Sequence, residues 1–195
     1  MTDNDGCCST YFGFLAIDCL QPTCQTSRNY GEPRIVIIYD GRSSGVFYGH
    51  FGGSGFSHQG MELANRLIDD GYVELYHYTT AEDFIGIWNG LNGEYDSIYI
   101  LGHGIPGELR FKGSVAIANQ GAAYSFSDLN KIPVKTLNLY CCNGATIDVY
   151  GGSIAEYMAT ITGGAVNAVK NGKLNFTWEY CLPVPASGGY WCTVK

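Results

Sequence analysis

The chain has 195 residues, of which 46% are apolar and only 15% are charged, so we expect one globular domain with a hydrophobic core. Its net charge of -7 argues against a nucleic-acid or anionic-membrane partner, because both need clustered Lys and Arg. The acidic start, MTDNDGCCSTYFGF, lacks the basic and apolar regions of a signal peptide, and no apolar run approaches the ~20 residues of a membrane span. We therefore expect a soluble chain, although a domain cut from a larger exported protein would look the same.

The predicted elements begin after a Cys-rich lead, residues 1–33, which shows no clear periodicity. Residues 34–195 are the predicted α/β domain. Its first segment, RIVIIY over Arg34 to Tyr39, is a β-branched run that predicts a buried strand ending at Asp40. The Gly- and Ser-rich stretch from Asp40 to His58 is long for a connection to a helix, and it is therefore a candidate binding loop.

Strands and helices alternate along the rest of the chain. In order, the predicted segments are helix Gln59–Asp70, strand Val73–Tyr78, helix Thr79–Asn89, strand Ser97–Leu101, a hairpin-like stretch Ile105–Ala118, a brief helix Ser125–Asn130, strand Thr136–Tyr140, helix Gly151–Thr162, strand Ala165–Val169 and β-like runs Leu174–Tyr180 and Tyr190–Val194. The alternation predicts a mostly parallel sheet flanked by helices, with a small β-hairpin insertion and a C-terminal β-hairpin.

Capping residues mark the predicted helix ends. Ser57 is a candidate cap for the first helix, and the spacing from Thr80 to Asp83 is that of a capping box for the second. Gly163 directly follows the most clearly amphipathic helix, so we expect that helix to end there.

Two predicted strands lead directly into residues that carry chemistry. One runs into LGHG, which contains His103, and the other runs into CCNG, which contains Cys142. In open α/β sheets the functional groups gather at the carboxyl ends of the strands. Because a thiol attacks a carbonyl only as the thiolate, an adjacent imidazole supplies the base that it needs. The pattern indicates a Cys–His pair, with the backbone N–H groups of Gly104 and Cys142 directed at a developing oxyanion.

A purely structural interpretation of each residue stands beside this one. Buried cysteines are common small core residues, and glycines at strand ends need no catalytic role. The coincidence of position favours the catalytic interpretation, because both residues follow strands and both have glycine neighbours. The histidine also precedes the cysteine by about forty residues, the reverse of the order in α/β-hydrolases and papain-like enzymes.

These motifs resemble those of the caspase-haemoglobinase clan of cysteine peptidases. IYILGHG is similar to the clan's histidine motif and LNLYCCNGA to its nucleophile motif, and GGSIAEYMATITGGAVNAV fits the helix and strand that follow. The closest likeness is to the caspase-like domains of large bacterial surface and toxin proteins, whose motifs resemble ILSHG and LLYGCN. The resemblance covers roughly Arg34 to Lys170.

The resemblance implies a caspase-like fold and a thiol endopeptidase that cleaves protein substrates, or itself, through a thioester. It implies His103 as general base and acid, Cys142 as nucleophile, and the N–H groups of Gly104 and Cys142 as the oxyanion hole. The clan's glycine before the nucleophile is replaced by Cys141, so either thiol is a candidate. Alignment on Asn143 favours Cys142, and Cys141 should point to the opposite side of the chain.

The residues that would read the substrate are less clearly marked. Arg42 would suit an acidic side chain before the scissile bond, whereas Asp40, Asp148 or Glu108 would suit a basic one, and each is also an ordinary solvated loop charge. Relatives activated by inositol hexakisphosphate hold it in a basic patch, and the lysines here are scattered. We therefore expect no cofactor and no metal.

The remaining cysteines suggest structural roles. Cys7, Cys8, Cys19 and Cys24 lack the paired spacing of common zinc sites, so disulfides or packing are the expectation. Cys181 and Cys192 flank the turn-rich PVPASGG, where a bridge across a hairpin would fit in an oxidising compartment.

Two other functions stay open from the sequence. A catalytically inactive caspase-like binding or adaptor module would keep the fold with an unreactive Cys142. A Cys-rich extracellular adhesion module would show a predominantly antiparallel structure, with His103 far from both Cys141 and Cys142. The resemblance and the irregular N-terminus favour an effector portion of a larger bacterial toxin or surface protein.

Overall fold

The computed structural model describes residues 24–25, 31–41, 56–176 and 183–195. Its helices are α1 Ser57–Leu67, α2 Ala81–Gly90 and α3 Ile154–Thr162. Its strands are β1 Cys24–Gln25, β2 Arg34–Asp40, β3 Tyr72–Tyr78, β4 Tyr95–Leu101, β5 His103–Ile105, β6 Glu108–Arg110, β7 Ala116–Ala118, β8 Tyr124–Ser125, β9 Val134–Tyr140, β10 Ala165–Lys170, β11 Lys173–Phe176, β12 Pro183–Ala186 and β13 Tyr190–Val194. Within these ranges, every helix is too short or too polar to cross a membrane.

The main sheet has seven strands in the order β1-β3-β2-β4-β9-β10-β13. Its five central strands pair in parallel, and the edge strands β1 and β13 are antiparallel to their neighbours. The central strands are largely buried on both faces, which explains continuous apolar runs such as RIVIIY. The prediction of an α/β fold with a mostly parallel sheet is therefore confirmed.

Each face of the sheet packs against its own set of helices. Val36 and Ile38 point to the face that packs on α2 and α3, which we call the larger core. Ile35 and Ile37 alternate with them and point to the face covered by α1, which we call the smaller core. At the end of each strand, therefore, one side chain points to the larger core and the next points to the smaller core.

A second sheet forms the predicted insertion between β4 and β9. Its four strands lie in the order β5-β6-β7-β8, and the first three form an antiparallel meander. The brief helix expected at Ser125–Asn130 is a single 3-10 turn, Phe126–Asp128. His103 is the first residue of β5, so this insertion begins at the predicted catalytic base.

The C-terminal hairpin has a different second strand from the predicted one. β11 pairs with β12, which lies in the segment PVPA that the sequence indicated as a turn. Pro183 and Pro185 are tolerated there because β12 is the edge of a two-stranded sheet. The run Tyr190–Val194 instead joins the main sheet beside β10, where Cys192 and Val194 pack on the larger core.

The helix ends confirm two of the three capping predictions. Thr80 and Asp83 form a reciprocal capping box at the start of α2, and Gly163, with a φ of 68°, ends α3 in the left-handed conformation. The Ser57 cap is wrong, because Ser57 is the first residue inside α1 and Phe56 before it offers no side-chain hydrogen bond. A second capping box, Ser153 with Glu156, sets the start of α3.

Candidate active site

His103 and Cys142 follow two strands that lie side by side. β4 and β9 pair in parallel, and the last paired residues are Leu101 and Tyr140. His103 and Cys142 each stand two residues beyond that pair. The Gly102 N–H donates to the Tyr140 carbonyl at 3.2 Å, so the backbones stay together past the strand ends. Both candidate groups therefore emerge at one place on the carboxyl edge of the sheet.

The side chains around the two groups belong to the smaller core. Phe56, Tyr140 and Phe176 pack at its margin. The exposed His103 ring stands edge-on to the Phe56 ring, with centroids 5.1 Å apart. Phe176 contacts both Phe56 and Tyr140, at 5.9 and 6.3 Å. These aromatic rings form a chain of contacts from the imidazole through Phe56 and Phe176, the last residue of β11, to Tyr140.

Cys142 is half-buried, two residues after Tyr140. Its Sγ accepts a hydrogen bond from the backbone N–H of Leu174 in β11, with an N–S distance of 3.3 Å. Strand alternation places the side chains of Leu101, His103, Tyr140 and Cys142 on the same face. The thiol and the imidazole thus flank the same end of the smaller core.

Gly104 fits closely against the two cysteines. A Cβ at this position would lie 2.6 Å from the Cys142 carbonyl oxygen and 3.1 Å from the Cys141 Sγ. A side chain would have to displace the backbone of Cys142, so only glycine allows this approach. The two residues predicted to supply the oxyanion hole, Gly104 and Cys142, therefore lie in backbone contact.

Cys141 has the opposite environment, as the sequence predicted. It is 1% exposed and belongs to the larger core. Burial, followed by the proximity of Cys142, raises the pKa of the Cys141 thiol to about 12. At neutral pH this group stays a protonated thiol, so its position suits packing rather than nucleophilic attack.

A tight turn follows the candidate nucleophile. Asn143 has a φ of 55°, a left-handed conformation that asparagine tolerates better than most residues. Its carbonyl accepts the Thr146 N–H at 2.9 Å. The Gly144 carbonyl then accepts the Ala155 N–H from the first turn of α3, also at 2.9 Å. These bonds hold the chain directly after Cys142, and the Gly102–Tyr140 bond holds it directly before.

The candidate substrate-reading residues fall into different environments. Asp40 ends β2 and is 1% exposed, so its carboxylate is buried beneath the surface. Glu108 forms an ion pair with Arg110 at 2.7 Å, and Asp148 accepts hydrogen bonds from the N–H groups of Tyr150 and Gly152. Arg42 lies outside the described residues.

Sequence reasoning missed Phe56, Leu174 and Phe176. Each acquires its place through tertiary contacts, and Leu174 contributes a backbone N–H that every residue except proline possesses. The only signal in the sequence was aromatic residues in the Gly-rich loop and in the run after Lys173. The presence of these aromatic residues does not predict which ring contacts the His103 imidazole.

The other cysteines are partly placed. Cys192 in β13 has a free thiol and pairs in register with Ala168 of β10. Cys24 contributes its backbone to β1, whereas Cys7, Cys8, Cys19 and Cys181 lie outside the described residues. In the part of the chain that is described, no three His, Cys, Asp or Glu side chains form a group suited to a metal ion.

Neither the protein-family models nor the curated proteins contain a match to this chain.

Proposed function

We propose that the protein is a cysteine endopeptidase in which Cys142 is the nucleophile and His103 is the general base and acid. The observation that carries the proposal is the register of β4 and β9, which brings the two residues to equivalent positions beyond adjacent parallel strands. The contact between Gly104 and the Cys142 backbone supports the same assignment. Cys141 also follows β9, but its side chain belongs to the larger core, on the face opposite to the Phe56 ring that contacts His103.

The chemistry would proceed in two acyl transfers. His103 accepts the Cys142 proton, and the thiolate attacks the carbonyl carbon of the peptide bond. The carbonyl π electrons move to oxygen, where the N–H groups of Gly104 and Cys142 are proposed to donate. His103 then gives its proton to the leaving amine as the C–N bond breaks, which leaves a thioester. A water molecule, deprotonated by His103, attacks that thioester; the C–S bond then breaks, Cys142 regains its proton from His103, and the acid product is released.

The fold supports placing the chain in the caspase-haemoglobinase clan. The histidine strand and the cysteine strand are neighbours in a mostly parallel sheet, and the histidine comes first in the chain. The parallel pairing is not the predominantly antiparallel structure that the adhesion alternative predicts. On this proposal the partner is a protein or peptide substrate, and the chain acts as an effector portion of a bacterial protein.

Matched cysteine variants test the proposal. The purified chain is incubated with a peptide library, and cleavage products and self-processing are followed by mass spectrometry. We expect Cys142→Ala to lose at least about 10³-fold in cleavage rate, because the covalent route disappears. Cys141→Ala should keep most of the activity, since its thiol faces the larger core. A correctly folded Cys142→Ala variant that cleaves at the wild-type rate would overturn the assignment.

Thiol labelling separates the enzyme from the inactive module. In the native protein, iodoacetamide should modify Cys142 faster than it modifies a free thiol and should leave Cys141 unmodified, because Cys141 is 1% exposed. Cys192, which is half-buried in β13, serves as an internal reference. If Cys142 reacts no faster than free cysteine and no peptide is cleaved, the adaptor interpretation is correct.

A further inference from the structure

The helix that follows Cys142, α3, has its first main-chain donors engaged elsewhere. Cysteine nucleophiles are commonly activated by the free N–H groups at the start of a helix. Here α3 begins only at Ile154, after an intervening loop. Its first-turn donors are already engaged, since Ala155 donates to the Gly144 carbonyl and Glu156 to the Ser153 hydroxyl. Any main-chain donor to the sulfur must therefore come from another element.

Strand β11 supplies such a donor, and a ladder of contacts holds it in position. The turn after Cys142 runs alongside the segment from Val169 to Leu174. The ladder consists of Ala145 N–H to the Val169 carbonyl at 3.0 Å, Asn171 N–H to the Thr146 hydroxyl at 2.6 Å, Asn143 N–H to the Gly172 carbonyl at 2.9 Å, and Leu174 N–H to the Cys142 Sγ at 3.3 Å. The Leu174 N–H therefore reaches the sulfur from a segment that is hydrogen-bonded to the turn at three other points.

The prolines of β12 determine which way the Leu174 N–H points. In an antiparallel pair, opposed residues either exchange two hydrogen bonds or exchange none. Leu174 lies opposite Pro185 and Phe176 lies opposite Pro183, and proline has no N–H to exchange. The exchanging pairs are therefore those of Lys173 and Asn175, whose N–H groups face β12. Leu174 directs its N–H to the other edge of β11, where the sulfur lies.

We infer that the backbone N–H of Leu174 is a catalytic group that stabilises the negative charge on the Cys142 sulfur. The inference rests on the proposed role of Cys142 as nucleophile. When His103 takes the thiol proton, the sulfur becomes an anion and the Leu174 hydrogen bond becomes charge-assisted, which strengthens it. As the new S–C bond forms, the charge leaves the sulfur and passes to the carbonyl oxygen. The donor thus favours the reactive form of the nucleophile without itself changing protonation.

Two proline variants of the same strand test the inference. Leu174→Pro removes the N–H that reaches the sulfur, whereas Asn175→Pro removes a neighbouring N–H that faces β12. The readouts are the rate at which iodoacetamide alkylates Cys142 at neutral pH and the ultraviolet absorption of the thiolate, each taken against Cys142→Ser. We expect Leu174→Pro to lower the alkylation rate about tenfold, the size of one charge-assisted hydrogen bond. Asn175→Pro and Leu174→Ala should stay near the wild-type rate.

An ester at position 174 gives the same test without a proline ring. Replacing Leu174 by its α-hydroxy acid exchanges the N–H for an oxygen and keeps the side chain, so it remains informative if Leu174→Pro does not fold. An unchanged alkylation rate in the ester variant, or an equal loss in Asn175→Pro, would overturn the inference. Both readouts report on the thiol without a peptide substrate. Loss of the Leu174 effect and loss of peptidase activity are therefore distinguishable failures.

Discussion

The two ends of the central sheet are stabilised by different kinds of contact. At the amino end, Arg34 donates to Glu74 at 3.4 Å and lies 4.2 Å from the centre of the Tyr95 ring. The Arg34 backbone N–H donates to Asp96 at 2.8 Å, and Lys135 pairs with the same carboxylate at 2.5 Å. Each of these charges has an opposite charge beside it. These two ion pairs, joined through the Arg34 backbone N–H, tie β2, β3, β4 and β9 together at the amino end.

The carboxyl end of the same strands depends on backbone and ring contacts instead. The Cys142 sulfur is held by a main-chain N–H, and the His103 ring lies against Phe56. Gly104 fits against the Cys142 backbone. Ion pairs at the amino end contribute to the free energy of unfolding, whereas the contacts at the carboxyl end set the surroundings of the Cys142 thiol and the His103 imidazole. Substitutions at the amino end should therefore change the free energy of unfolding, and those at the carboxyl end should change thiol reactivity.

The largest effect is expected at Gly104. In Gly104→Ala the new Cβ would press on the Cys142 carbonyl and the Cys141 sulfur. We expect about a 100-fold loss of peptide cleavage, by analogy with other misplaced catalytic groups, together with about 2 kcal/mol of destabilisation. Gly90→Ala is the matched control, because a Cβ there meets nothing within 4 Å. Wild-type thiol reactivity in Gly104→Ala would show that the close approach is not needed.

A substitution at the amino end should lower stability without changing thiol reactivity. Arg34→Met leaves Glu74, which is only 8% exposed, without its cationic partner, so we expect a loss of about 2 kcal/mol in the free energy of unfolding. Alkylation of Cys142 should be unchanged. Lys135→Met, which removes the cation paired with Asp96, is the control, and because Lys135 is largely exposed it should change stability very little. Urea unfolding of the three proteins measures the difference.

The smallest effect is expected from His77, near the carboxyl end of β3. Burial lowers the pKa of His77 below 6.5, and nearby Asp83 only partly opposes the shift. The unfolded chain therefore binds the proton more readily, so stability is present above the unfolded pKa and is lost as the pH falls through it. Melting temperatures at about pH 5.5 and about pH 7.5 should differ more for the wild type than for His77→Gln. Equal differences would contradict the shift.

Much of this architecture was predictable because the strands carry strong local signals. The buried run RIVIIY, the capping box at Thr80 and the glycines after His103 and Cys142 are short-range patterns whose meaning does not depend on distant residues. They were sufficient to predict the parallel sheet and to place a histidine and a cysteine at strand ends. The prediction that Cys141 and Cys142 point in opposite directions followed from strand alternation alone.

The rest was hidden because it depends on pairing between distant segments. Pro183 and Pro185 indicated a turn, yet they fit the non-exchanging positions opposite β11. The run Tyr190–Val194 found its partner in β10 rather than in the preceding run, since Cys192 and Val194 complete the larger core. The contact of Leu174 with the thiol depends on the first of these facts, because the register with β12 directs the Leu174 N–H to the sulfur. Because every residue except proline has a backbone N–H, the sequence does not indicate which N–H reaches the sulfur, and only the structure shows it.

His103 lies where the chain passes from the main sheet into the small four-stranded sheet. Leu101 ends the main sheet, and His103 opens the small one, with only Gly102 between them. The backbone of His103 is therefore held by two sheets: by the main sheet through the preceding strand β4, and by the small sheet through its pairing with Arg110. The insertion thus supports the backbone of His103, and a chain shortened across residues 105–118 would leave His103 with the main sheet as its one support.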